Sequence, residues 1–322
     1  MFKRFTLLLF GLGLFLSCGK SDKVILVSST GRINHVLIVM NDEDWNGKVG
    51  DALKKIIAEP VIGLPQEENQ FSVTQVDPRT FNALFKRNRN ILFVGIDTTS
   101  VVYANTDIYS SPQTTLTILA EDKDALINSI ESNGDKIINT FKKNDLVLYQ
   151  RKVTKDIHDS DNIETFKNLG VTLKIPFDYK MVEDTGQFLW YRNSFARGLL
   201  NIIAYEIPTF GEPYTKESLV SFRDSIGKSF IPGQFDDTYM RTEPNFTPIT
   251  SQVELDGMTA IESRGLWFVE GDFMGGPFVS YTIEDPENER LIVIEGFSYS
   301  PSSKKRDVVF ELEAILKTVK KN

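Results

Sequence analysis

Apolar positions change their spacing several times along this chain, and each change marks a different kind of structure. Residues 5–16 (FTLLLFGLGLFL) form an unbroken apolar run behind Lys3 and Arg4. About 12 residues suit the hydrophobic region of an export signal and fall short of the roughly 20 that span a bilayer. Residues 33–40 (INHVLIVM) are short and β-branched between turn residues, which predicts a buried strand. Val49, Leu53 and Ile56 then share one helical face over 48–58. Residues 71–76 and 91–96 read as strands, with a helix over 78–86 opened by Asp77-Pro78. Residues 114–120 alternate threonine and aliphatic side chains, as a strand does. From Asp122 the spacing turns helical, with Leu126, Ile130, Ile137 and Phe141 on one stripe, and stays largely helical to Leu169.

Gly170 begins a different texture. Residues 172–182 place Leu173, Ile175, Phe177 and Tyr179 on one strand face, and 187–193 and 199–207 continue as strands. Thr215 is an N-cap for a helix carrying Leu219, Phe222, Ile226 and Phe230 at helical spacing. Asp256-Gly257 predicts a hairpin joining 252–255 to 258–263. Strands at 266–269, 278–283 and 291–297 follow. A helix over 304–320 closes the chain, with Val308, Leu312, Ile315, Leu316 and Val319 as its buried stripe. The pattern predicts an α+β protein of two packed α/β sandwich-like halves, the second with a mainly antiparallel sheet covered by helices.

Composition adds an address. Cys18 is the single cysteine in 322 residues. Phe15-Leu16-Ser17-Cys18 resembles the lipobox of bacterial lipoproteins, with Phe where the first position is usually Leu. The resemblance implies that Cys18 is lipidated and becomes the first mature residue. Four regions follow: signal peptide 1–17, lipidated cysteine and tether 18–32, N-terminal α/β half 33–170 and C-terminal α+β half 171–322. Gly19 is not the Asp associated with inner-membrane retention, so the outer membrane is the expected location. With the thiol taken by the anchor, disulfides and thiolate metal sites are excluded. Loss of Lys3 and Arg4 leaves 34 basic residues against 44 acidic ones, a mature charge of about −10. That balance argues against nucleic acid. The expected partners are the membrane, through the lipid, and an envelope protein or glycan. No cofactor is expected.

Candidate chemistry is sparse. Asp42, Asp44 and Asn46, followed by Gly47, have the opening spacing of a calcium loop, yet Leu53 stands where its bidentate acid belongs. They read first as a cap on the next helix and only second as a metal site. Glu262 and Arg264 share a strand face; they read first as an ion pair at a sheet edge and second as a clamp for a carboxylate or sugar. Trp190, with Arg192 beside it, and Trp267 are candidate stacking platforms for a ligand. Gly275 and Gly276 would let backbone approach closely in a turn or pocket wall. His35 reads as a partly buried strand residue and His158 as helix surface. No spacing of carboxylates selects a catalytic pair, although glycan hydrolysis by two acids remains the rival to a binding role.

Taken with Leu173-Lys174-Ile175-Pro176, Phe188-Leu189-Trp190-Tyr191-Arg192, Glu262-Ser263-Arg264-Gly265-Leu266-Trp267 and Met274-Gly275-Gly276-Pro277-Phe278, the chain resembles a bacterial envelope lipoprotein family known only as domain of unknown function 4837. Gly63-Leu64-Pro65-Gln66 and Arg89-Asn90-Ile91-Leu92 extend that resemblance over nearly all of the mature chain. It implies export and a lipid anchor and brings no catalytic residue with it. The second half also resembles the PsbP/Mog1-type sandwich, through its Trp-containing strand, Asp224-Ser225-Ile226, the Asp-Gly hairpin, and a closing strand–helix begun by Lys305-Arg306. The resulting expectation is a non-enzymatic, membrane-anchored binding or assembly factor, with a hydrolase or a small-molecule or sugar binder as alternatives.

Overall fold

Strands bounded by turn residues sort into two principal sheets, one in each half of the chain. The computed structural model describes residues 26–196, 198–209 and 214–322. The expected signal at 1–17 and Cys18 lie outside the described residues. In chain order the first half has β1 (Val27–Ser28), β2 (His35–Val39), the single turn α1 (Asp42–Trp45), α2 (Lys48–Ile57), β3 (Ser72–Val76), β4 (Asn90–Ile96), β5 (Val101–Thr106), β6 (Ser110–Ser111), β7 (Thr114–Ala120), α3 (Lys123–Ser132) and α4 (Gly134–Val153). The sheet order is β3-β2-β4-β7-β5, parallel except where β5 runs antiparallel along β7. Leu53, Ile130, Ile137 and Phe141 bring α2, α3 and α4 onto one face. On the other face, Leu37, Val39 and Ile91 pack with Phe81, Phe85 and Tyr109. β1 pairs in parallel with β6, so part of the expected tether already lies along the body at residue 27.

Two elements depart from the sequence pattern here. The helix expected over 78–86 is a pair of 3₁₀ turns, Pro78–Thr80 and Phe85–Arg87. Asp77 accepts from the Arg79 backbone N–H at 2.9 Å, and Asn82 accepts from that of Leu84 at 2.9 Å. Such local side-chain acceptors compete with the helical ladder. β5 gave no periodic signal, because four of its six residues are exposed at the sheet edge.

The second half runs α5 (Glu164–Leu169), β8 (Val171–Thr172), β9 (Lys180–Asp184), β10 (Phe188–Phe195), β11 (Gly198–Pro208), α6 (Lys216–Phe230), β12 (Tyr239–Thr242), β13 (Ile249–Leu255), β14 (Met258–Glu270), β15 (Gly275–Asp285), β16 (Arg290–Tyr299), α7 (Arg306–Leu316) and β17 (Lys320–Lys321). Eight strands form an antiparallel sheet in the order β12-β14-β15-β16-β11-β10-β9, with β13 also on β14. The strands expected at 258–263 and 266–269 are one: β14 pairs its first part with β13 and its last residues with β12. Asp256 (φ 49°) and Gly257 (φ 81°) make the expected tight hairpin. The strand expected over 172–182 is interrupted, since Pro176 offers no backbone donor and Phe177 turns outward. Helices α5 and α7 cover one face of this sheet, with Phe166, Leu169, Leu312 and Ile315 in its core. Helix α6 covers the other, with Leu219, Ile226 and Phe230 against Phe188, Tyr205 and Phe297. The fold is mixed α+β, as the pattern predicts.

The halves meet where α4 lies on α7. Tyr149, Phe310 and Ala314 form the apolar part of this seam. Its polar part centres on buried Asn34, whose backbone N–H donates to Asp145 Oδ2 at 2.8 Å and whose side-chain amide donates to Asp307 Oδ1 at 2.9 Å. Glu68 accepts from the backbone N–H groups of Lys305 (2.6 Å) and Arg306 (3.2 Å), capping α7 from the other half.

Helix α6 sits on β12 with no room to spare. A Cβ at Gly227 would lie 2.1 Å from the Met240 carbonyl oxygen. Gly227→Ala is therefore expected to destabilise the protein by about 1–3 kcal/mol, because helix and strand must separate. Urea unfolding checks this, with a lowered midpoint at constant slope as the expected result.

Candidate functional site

Alternation along the second sheet sends Phe278, Ser280 and Thr282 of β15 towards α6, while Val279, Tyr281 and Ile283 point to α7. Ser263 of β14 joins the α6 side. Between these strands, α6 and the loop 243–248 lies a cleft of about 370 Å³. Ser263, Ser280 and Thr282 form part of its floor, all three residues buried. No side-chain hydrogen bond among the described residues involves their hydroxyls, and none of the three is sealed from solvent without a partner. They open into the cleft.

One end of the floor is an ion pair. Arg223 of α6 donates to Glu295 of β16 through Nε (2.9 Å) and Nη2 (2.7 Å), a bidentate pair with both side chains buried. Nη1 donates to Thr242 Oγ1 at 3.0 Å, and the guanidinium lies 3.9 Å from the centre of the Phe278 ring. Burial works against the Arg223 charge and Glu295 more than offsets it. Three more of the charges along the wall are also engaged, while Lys216 and Glu217 are exposed. Asp224 accepts from the Thr242 backbone N–H at 2.7 Å, Arg241 donates to Glu270 at 2.9 Å, and Glu243 accepts from the Asn245 backbone N–H at 3.1 Å. The cleft can hydrogen-bond a neutral polar group without first breaking these contacts.

The residues singled out from the sequence do not form one site. Trp190 and Trp267 are only 5% and 4% exposed, so neither ring offers a free face. Trp190 Nε1 donates to Asn201 at 2.9 Å, and Arg192 stacks on its ring at 4.5 Å. Trp267 Nε1 donates to the Ser298 carbonyl at 3.2 Å. Both indoles face the core side of β10 and β14, where their N–H groups find internal acceptors. Gly275 and Gly276 lie in β15 after the turn, and Gly276 pairs with Trp267 across the strands. A Cβ there would sit 2.1 Å from the Ser298 oxygen, so that glycine serves strand contact.

Glu262 and Arg264 do pair, at 2.7 Å, but in the sheet interior beneath α7 and not at an edge. Arg264 also donates to Glu313 (2.8 Å), Lys317 donates to Glu313 (2.6 Å), and Tyr281 donates to Glu262 (2.8 Å). The loop at Gly63 from the first half lies against Arg264, closing the cluster. In the calcium-like segment the groups diverge. Asp44 faces Lys123 at 3.0 Å, Asp42 accepts from Gln75 at 3.0 Å, and Asn46 donates to the Asp42 carbonyl at 2.8 Å. Residues two apart on a helical turn point to different sides, so these ligands do not converge. Among the described residues no group of three or more His, Cys, Asp or Glu could hold a metal. His35 is half-buried with Nε2 3.0 Å from Thr74 Oγ1. His158 is not free surface: it stacks on Phe177 and its Nε2 lies 2.7 Å from the Tyr179 carbonyl.

The family model described as "Domain of unknown function (DUF4837)" matches residues 158–318, half of the chain. The chain belongs to this family. A second model, "Domain of unknown function (DUF8532)", matches residues 29–154. The expected single match over nearly all the mature chain is thus divided, and Gly63-Leu64-Pro65-Gln66 and Arg89-Asn90-Ile91-Leu92 fall outside the DUF4837 region. No curated protein matches the chain. Among solved structures it is similar to the Saccharomyces cerevisiae Ran-binding protein Mog1p, at 12% identity over 47% of this chain and 90% of that one, with a TM-score of 0.33. It is also similar to LpqN of Mycobacterium tuberculosis, described as involved in cell envelope biogenesis, at 13% identity over 46% and 81%, with a TM-score of 0.28. Human StAR-related lipid transfer protein 5 matches at 8% identity over 44% and 88%, with a TM-score of 0.22. Likeness at this level says nothing about ligand or activity.

Two ion clusters in the DUF4837 region give testable energetics. Glu295→Ala strands Arg223 in the core and is expected to cost about 3–5 kcal/mol in denaturant unfolding. An apolar pair, Arg223→Met with Glu295→Leu, is expected to recover most of that loss. Burial alone would raise the Glu313 pKa, but Arg264 and Lys317 hold it at about 2, against an ordinary value of 4.5. Since the folded value is depressed, this contribution is present above pH 4.5 and lost as pH falls towards about 2. It amounts to a loss on the order of 3 kcal/mol in a pH series of unfolding curves, and Glu313→Gln should flatten that acid limb.

Proposed function

We propose that this protein is a lipid-anchored envelope factor that binds rather than transforms its ligand, through the cleft beneath α6. One observation carries the reading: Ser263, Ser280 and Thr282 present hydroxyls without protein partners on the cleft floor, while Arg223 and Asp224 beside them are already paired. A hydroxyl both donates and accepts, so such a floor suits a neutral ligand that does the same. The hydroxyls of a glycan or the backbone of an extended envelope-protein segment have that chemistry. The lipobox-like Phe15-Leu16-Ser17-Cys18 supports anchoring, and acyl chains contributing about 0.8 kcal/mol per buried CH₂ would hold the body at the outer membrane.

Hydrolysis of glycan by carboxylates is the rival. Glu217, Asp224 and Glu243 line the same cleft, but Asp224 and Glu243 are spent on backbone N–H groups. The carboxyls that burial raises, Asp145 and Glu311, belong to α4 and α7 at the seam. A general acid poised by burial would have to sit in the cleft.

Two measurements test the reading. Cys18→Ser is expected to release the protein from the membrane fraction of cells, and a variant that stays bound like the parent would sink the anchor. For the cleft, a Ser280→Ala, Thr282→Val variant removes both hydroxyls without adding bulk. It is expected to lose at least about tenfold of the envelope glycan or crosslinked segment recovered with the parent. Equal recovery would rule the cleft out, and turnover of glycan by the parent would favour the hydrolase.

A further inference from the structure

Where the chain enters the fold, a second cavity of about 510 Å³ opens between the halves. Arg32, His35 and Ser72 line it from the first half, and Lys304, Arg306 and Asp307 line it from the start of α7. Four of these side chains can carry positive charge, against one carboxylate. In a chain of net charge −8, this is a local inversion of sign.

The single carboxylate is already taken. Asp307 Oδ1 accepts from Arg306 Nε at 2.8 Å and from Asn34 Nδ2 at 2.9 Å. Glu68, the nearby acid from the first half, is spent on the backbone N–H groups of Lys305 and Arg306. Buried Arg306 is held in place, its Nη1 donating to the Asn69 carbonyl at 3.1 Å and its Nη2 to Ser72 Oγ at 3.2 Å. Arg32 and Lys304 are exposed at the cavity and make no ion pair among the described residues. Burial, then the charges of Arg32 and Arg306, push the His35 imidazole below its ordinary pKa. Two guanidinium groups, an ammonium and an imidazole thus share one space with too little negative charge to balance them.

We propose that this cavity is an anion site that takes a phosphoryl group. A fixed Arg306 and an adjustable Arg32 can meet phosphate oxygens in fork geometry, with Lys304 as a point charge and His35 as a donor once protonated. The cavity exceeds a lone phosphate, which suits a phosphate ester, either a lipid headgroup or a soluble molecule. This site is separate from the α6 cleft and does not depend on its ligand.

The chain has only two histidines, so the imidazole proton resonances of the full-length protein resolve the test. Inorganic phosphate is titrated against chloride at matched ionic strength, and the His35 and His158 midpoints are followed. A phosphate dianion beside His35 stabilises its imidazolium, so the His35 midpoint should rise while that of His158, stacked on Phe177, stays put. An Arg32→Gln, Lys304→Gln variant changes only exposed side chains. It is expected to weaken the phosphate response at least about tenfold with an unchanged unfolding midpoint. An equal response to chloride, or an undiminished one in the variant, overturns the proposal. Vesicles then distinguish the source. Cosedimentation that rises when phosphatidylglycerol is added to phosphatidylcholine, and falls in the variant, identifies a lipid headgroup. A phosphate response without that rise identifies a soluble phosphate ester.

Discussion

A carboxylate shut away from water ties this protein together. Asp145 of α4 is fully buried, accepts from the Asn34 backbone N–H, and has Arg89 Nη1 3.6 Å away. Asn34 in turn accepts from Lys142 Nζ at 2.7 Å and donates to Asp307 at the start of α7. It does so from a left-handed backbone conformation, φ 52°, which asparagine adopts more readily than most residues. The group therefore joins the leading edge of β2, the long helix of the first half and the closing helix of the second. Burial pushes Asp145 up and Lys142 down to about 8, so the network works only with its partners in register. Low dielectric strengthens every satisfied contact here and penalises every broken one. The seam between α4 and α7 runs through that network, and the cationic cavity beside it shares Asp307 with it.

The second sheet shows how one alternating pattern can serve two purposes. Its α7 side is mainly aliphatic, with Tyr191 and Tyr281 among the sheet residues, apart from the cluster of Glu262, Arg264 and Glu313, which is closed over by the first half. On its α6 side, aromatic packing from Phe188 to Phe297 gives way to Ser263, Ser280 and Thr282. Strand geometry guarantees the separation, because neighbouring residues cannot share a face. The cleft lies along residues 216–224 of α6, where small hydroxyl side chains stand on the sheet in place of the aromatic ones.

Much of the fold was legible because its strands carry a clear period or a firm stop. Residues 114–120 alternate and emerge as β7, Thr215 caps α6, and Asp256-Gly257 turns the hairpin. The helix over 78–86 failed because Asp77 and Asn82 compete locally for backbone donors, which a hydrophobic count does not register. Sites were much less legible. Trp190 and Trp267 invite a ligand on paper, yet Asn201 and the Ser298 carbonyl satisfy their N–H groups inside the core. The better signals were quiet ones. Glu295 stands alone in an aliphatic strand, and after Phe278 the residues Ser280 and Thr282 place hydroxyls where the period calls for apolar side chains. Arg223 announces nothing until α6 is laid on β16. The cationic cavity gathers Arg32 and Arg306 from nearly opposite ends of the chain, a proximity no local spacing encodes.

The last strand holds a topological consequence. β17 pairs antiparallel with β8, Lys320 opposite Thr172 and Lys321 opposite Val171, and the Asn322 N–H donates to the Gly170 carbonyl at 2.9 Å. The strand that opens the second half and the strand after α7 therefore lie side by side. The segment that enters the eight-stranded sheet and the segment that follows α7 are thus held against each other by backbone hydrogen bonds, outside the sheet itself. The division between the two matched families at residues 154–158 falls just ahead of that stitch, so the family boundary and the point where the second half's chain path closes on itself nearly coincide.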